Sequence, residues 1–127
     1  MIKEGTQILI EKAESCLASA RILQSAEEFY PDTIAFLLQQ AIEKILKAFL
    51  AQHGEGYPKI HDLYVLLEHC KELDSDFARI SPEDFDLLNY FAVAGRYSDD
   101  MMAGMEEIVR FQETAQQCKD LVELKIQ

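Results

Sequence analysis

Eighteen residues, Ile34 to Ala51, constrain the fold of this chain more than any other stretch. Thirteen of them are apolar and five are polar, the composition of a helix buried nearly all round. Four of the polar residues, Gln40, Glu43, Lys44 and Lys47, recur at offsets of three and four. That spacing stacks them on one narrow stripe. The helix ends at His53-Gly54, and a short loop carrying Gly56 and Pro58 follows. The chain then re-enters a helix through Lys59-Ile60-His61-Asp62-Leu63.

Helices are expected on both sides of this core element. Thr6 to about Ser25 places Leu9, Ala13, Cys16, Ala20 and Leu23 at 4-3-4-3 spacing, a seam for a neighbouring helix. Pro31 suits a first helical turn and opens the central helix, which runs to about His53. Asp62 to about Leu73 forms a third helix with Leu63, Leu66, Leu67 and Cys70 on one face. Ser81-Pro82-Glu83-Asp84 reads as the start of a fourth: an N-cap, a proline at the first position, and acids at the positive end. Phe85, Leu88, Phe91 and Ala92 lie on it, and it stops near Gly95. The fifth spans about Asp100 to Lys125, with Met101, Met105, Ile108, Phe111, Ala115, Cys118 and Val122 facing inward. The expectation is one all-α domain over residues 1–127, an antiparallel up-and-down bundle of four to five helices.

Composition excludes several function classes. Apolar residues make up 49 % of the chain and the formal net charge is −11. Such a field repels phosphate backbones, so broad nucleic-acid binding is disfavoured, while a basic partner is suited to it. Met1 to Glu4 is mixed in charge with no sustained apolar run behind it, so no secretory signal is read. The most apolar segment carries too many polar residues to span a membrane. Cys16, Cys70 and Cys118 are an odd, widely spaced set, read as buried reduced thiols in a cytoplasmic protein. No Glu precedes a histidine by three residues, as carboxylate-bridged metal bundles require, and no glycine-rich phosphate loop occurs. No metal and no cofactor is expected.

Three places carry candidate chemistry. Lys44 and Lys47 lie within a turn of each other and suit an anion; the alternative is a solvent-facing seam closed by a Glu43–Lys47 pair. His61 and Asp62 sit at a helix start, where Asp62 favours the positive helix end and His61 caps or bonds the preceding loop. Gly95-Arg96-Tyr97-Ser98 separates the last two helices. Arg96 offers a planar fork of donors for phosphate or carboxylate, and Tyr97 a stacking face and a hydroxyl. The competing role for Arg96 is to tie its loop to Asp99 or Asp100.

In this order and spacing, these pieces resemble the HEPN domain (higher eukaryotes and prokaryotes nucleotide-binding). Ala41 to Leu50 is similar to its second-helix pattern, Lys59 to Leu63 to its loop-to-helix signature, and Arg96-Tyr97 to its last-loop motif. The resemblance implies a helical bundle that pairs into a homodimer with a cleft between protomers. It also implies a minimal nucleotidyltransferase as partner, in two-component or toxin–antitoxin systems. Many members are metal-independent RNases marked by an Arg, four to six residues, and a His. After Arg96 those positions hold Met101, Met102 and Ala103, and methionine cannot transfer a proton. The expected function is therefore a non-catalytic binding, regulatory or substrate-presenting subunit, with Arg96, Tyr97, Lys44, Lys47 and His61 around a nucleotide ligand. The alternatives are a divergent RNase using His61 and a pure protein-interaction module.

Overall fold

The computed structural model describes residues 1–55, 59–93 and 103–127. Five α-helices and no strand occur among them: α1 (Glu4–Gln24), α2 (Pro31–Gln52), α3 (Leu63–Leu73), α4 (Phe85–Val93) and α5 (Met105–Ile126). The all-α bundle is as expected. One short element was not: a 3₁₀ turn, Ser75–Arg79, follows α3. It forms because the Asp74 carboxylate accepts the Asp76 N–H at 2.9 Å, capping a turn that carries no helical apolar period.

α2 is the axis. Its proline occupies the first turn as read from sequence, and from Ala41 to Leu50 every residue except Lys44 is buried. α1, α3, α4 and α5 all pack on it. Its end is closed by a two-bond cap. The Glu55 N–H reaches the Leu50 carbonyl at 3.1 Å and the Gly54 N–H reaches Ala51 at 3.0 Å. This arrangement needs a left-handed residue, and Gly54 supplies it at φ 77°.

The ends of the helices show how they run. Gln52 on α2 accepts the Lys3 N–H at 2.9 Å and donates to the Met1 carbonyl at 2.8 Å, so α1 and α2 are antiparallel. Arg21 on α1 meets Gln116 on α5, and Gln24 meets Gln112 and Met105, so α1 also opposes α5. α2 and α5 consequently run in the same sense. Asp32 at the start of α2 accepts the Ala103 N–H just before α5, at 3.1 Å. At the far end Lys125 holds the α3 corner, pairing with Asp74 at 3.0 Å and with Asp76. The bonds from the Asp76 N–H and Lys125 hold the Asp74 carboxyl below its ordinary range.

Two helix starts differ from the sequence reading. Ser81 does cap locally, its Oγ accepting the Glu83 N–H at 3.3 Å, but the α-helix begins only at Phe85. Residues 82–84 form a tight turn instead, with Asp84 held by Arg110 of α5 at 3.1 Å. Met105, expected on the buried face, is 46 % exposed. It is the first residue of α5, at the bundle end, where Gln24 rather than the core meets it. Met101 lies outside the described residues. Of the cysteines, Cys70 and Cys118 are buried, and burial pushes both thiols up to about 12; Cys16 is half-buried.

One polar atom in this core is out of place. Thr6 is fully buried and its hydroxyl has no hydrogen-bond partner among the described residues. An unpaired buried hydroxyl costs about 1–3 kcal/mol, whereas an apolar group of the same shape carries no such penalty. Thr6→Val should therefore raise stability by about 1 kcal/mol, read in urea unfolding as a higher midpoint at unchanged slope.

Candidate functional site

The polar stripe of α2 does not face solvent along its length. Gln39, Glu43 and Lys47, spaced by four, are buried at 0, 3 and 8 % exposure. The expected solvent-facing seam is thus corrected for Glu43 and Lys47. The reason is that His61, just ahead of α3, lies beside the middle of α2. The Gln39 amide donates to the His61 carbonyl at 3.1 Å, and the His61 Nδ1 lies 3.1 and 3.2 Å from the two Glu43 oxygens.

A buried carboxylate is tolerated only when its charge and lone pairs are met. Glu43 meets that condition through three partners: Lys47 Nζ at 3.2 Å, His61 Nδ1, and the Gln39 amide at 3.5 Å. The Gln39 carbonyl in turn accepts from Gln40 at 2.8 Å, whose own carbonyl accepts from Lys44 Nζ at 3.0 Å. Six side chains on two elements form one connected network. Such networks hold a unique arrangement when every member is satisfied.

The two lysines read together in the sequence differ in state. The Lys47 ammonium is engaged by a buried carboxylate. Among the described residues, the hydrogen-bond partner of Lys44 is a neutral amide, and Lys44 is half-buried, so that contact does not compensate its charge. The His61 side chain is 72 % exposed while one nitrogen stays on Glu43. A ligand arriving from solvent would therefore meet His61 and Lys44 first.

Beside His61, Asp62 caps α3 by accepting the Tyr64 N–H at 2.9 Å, so it stands just before the helix rather than in it. Asn89 of α4 completes the cap. Its carbonyl accepts the Leu63 N–H at 3.2 Å and its amide donates to Asp62 at 3.1 Å. α4, from which the chain continues toward Arg96, is thereby tied to the His61 corner. Arg96 and Tyr97 themselves lie outside the described residues. Sequence reasoning missed Gln39, Asn89 and the contact of Glu43 with His61. The signals were an amide one turn before Glu43, and a lone Asn inside Leu87-Leu88-Asn89-Tyr90-Phe91.

Among the described residues, no group of three or more His, Cys, Asp or Glu is placed to hold a metal ion, and no helix is long and apolar enough to cross a membrane.

Comparison with known proteins follows from this geometry. A family model, the HEPN domain, matches residues 6–125. A crystal structure of an archaeal HEPN homologue superposes with a TM-score of 0.68 at 22 % identity, covering 96 % of this chain and 98 % of the homologue. That likeness establishes the fold. A search of curated proteins finds no match.

The network makes an energetic prediction. Glu43→Ala leaves the buried Lys47 without its carboxylate and should cost about 3 kcal/mol. Adding Lys47→Met should recover about half of that loss, since the unpaired charge is then gone. Urea unfolding of the two single variants and the double variant measures the coupling.

Proposed function

Because the chain belongs to the HEPN domain family, we propose that it is a non-catalytic member: a nucleotide-binding, regulatory or substrate-presenting subunit acting with a minimal nucleotidyltransferase, as in toxin–antitoxin-like pairs. The observation that carries this reading is the absence of an imidazole five to seven residues after Arg96. Those positions hold Met101, Met102 and Ala103. Without a proton-transfer group beside it, an arginine fork binds phosphate but does not move the proton that cleavage requires. The net charge of −11 supports the same reading, since it opposes a long RNA substrate more than a small nucleotide or a protein partner.

In this reading Arg96 and Lys44 contact the phosphate, Tyr97 stacks or hydrogen-bonds, and His61 borders the site. Lys47 contributes by holding Glu43. The working unit is a homodimer with the cleft between protomers. Co-purification of the chain with the product of the neighbouring gene, and calorimetric titration with nucleoside triphosphates, provide the test. A complex, or micromolar binding weakened at least tenfold by Arg96→Ala, is the expected result. Finding neither a nucleotidyltransferase partner nor heat on nucleotide addition would sink the proposal.

One observation favours a second reading, a divergent metal-independent RNase. A carboxylate on one imidazole nitrogen fixes the ring's orientation and leaves the other nitrogen to meet a substrate, and the exposed His61 held by Glu43 has that arrangement. Incubation of the purified chain with single-stranded RNA in EDTA decides it. Cleavage lost in His61→Ala and reduced in Glu43→Gln is what this reading expects; intact RNA with the native chain ends it.

A further inference from the structure

α1 and α5 do not close against each other as each closes on α2. α1 packs extensively on α2, whereas its contact with α5 is slight. Side chains bridge the gap: Arg21 to Gln116 at 3.4 Å, Gln24 to Gln112, and Gln24 to the Met105 sulfur at 3.6 Å. Two cavities, of about 300 and 210 Å³, open along the same gap at its two ends. Leu38 of α2 belongs to the first, as part of its floor.

The residues that line the gap carry a pattern. On α1 they are Gln7, Ile10, Glu14, Leu17, Arg21 and Gln24, a 3-4-3-4-3 spacing. On α5 the facing stripe includes Val109, Gln116, Glu123 and Ile126. Two antiparallel helices that present such stripes to an open gap offer the holes into which the side chains of a third helix fit. The α1 stripe spans eighteen residues, about 25 Å from first to last at the rise of an α-helix. Apolar surface remains open at one end of the gap, where Val109 is 41 % and Met105 46 % exposed.

Charge selects the occupant. Glu14, Glu113 and Glu123 line the gap against one basic residue, Arg21, with Glu123 partly offset by Lys119 at 3.1 Å. A second copy seated here would bring the same acidic stripe, Glu14, Glu113 and Glu123, to meet it, which repels. We infer that the α1–α5 groove docks a basic amphipathic helix of a different protein, apolar residues over the exposed Val109 and into the cavity whose inner wall is the buried Leu17, and lysines or arginines along the acidic rim. This goes beyond the nucleotide site, because the groove is lined by α1 and α5 and shares no residue with the Glu43–His61 network.

The probe is a fluorescein-labelled 18-residue Leu/Lys peptide of helical period, titrated with the full chain and read by anisotropy. Saturable binding is expected. Val109→Asp should weaken it at least tenfold. Glu113→Lys should weaken it at least fivefold more than Glu72→Lys, which makes the same charge change on exposed α3, outside the groove. Circular dichroism of each variant verifies the fold. Equal effects of Glu113→Lys and Glu72→Lys would mean diffuse attraction and overturn the inference, as would absence of peptide binding. A homodimer that Val109→Asp dissolves in light scattering would assign the groove to a second copy and overturn it too.

Discussion

A carboxylate on the inner side of a nearly fully buried helix must be neutralised where it stands. Glu43 has that position, and much of the surrounding structure follows from it. Lys47 is drawn inward to it at 3.2 Å and His61 is brought to it across eighteen residues of chain. His61 is fixed at both its carbonyl and its ring, which sets where the chain stands against α2 just before α3 begins. α3 therefore starts beside the middle of α2, and the Asp62–Asn89 cap brings α4 to the same corner. A buried ion pair of this kind gives little net stability compared with an apolar substitute, but it penalises every arrangement that separates its members. Its value here is in setting the register of loop and helix.

The same corner links architecture to function. In the proposed site, Lys44 and His61 are each held in place by another side chain, Gln40 and the buried Glu43. Lys47 has the opposite state, with its charge already used inside the fold. The two lysines were equivalent as letters one turn apart on a stripe; their burial and partners separate them. On the other side of the bundle, the α1–α5 gap is bridged by amides and one arginine, contacts that can be exchanged for those of an incoming helix at little cost.

Legibility varied with how local the deciding interaction is. The bounds of α2 were readable because a proline opens it, a glycine closes it, and its apolar period is uninterrupted. The capping role at the start of α3 was readable from Asp62 alone, although its second partner, Asn89, lies on another helix. The 3₁₀ turn at Ser75–Arg79 was not, since one side-chain cap on Asp74 holds it without any period. Met105 had the right spacing for the core and is exposed because α5 begins with it at the end of the bundle. The burial of Glu43 and Lys47 was hidden for a stronger reason: it depends on where a loop returns, and a solvent-facing seam has the same letters.

By itself the sequence determined the helical class, the central place of α2 and the family to which the chain belongs, because periodicity, turn residues and short spacings are properties of neighbouring residues. It also determined that no histidine follows Arg96 at the RNase spacing. Only the tertiary structure decided which polar side chains are spent inside the fold and which remain available, and which helix pairs close or leave a groove. Those outcomes depend on the balance between desolvating a charge and finding it a partner, and the partners of Glu43, Asp62 and Asp32 come from elements 18 to 71 residues away.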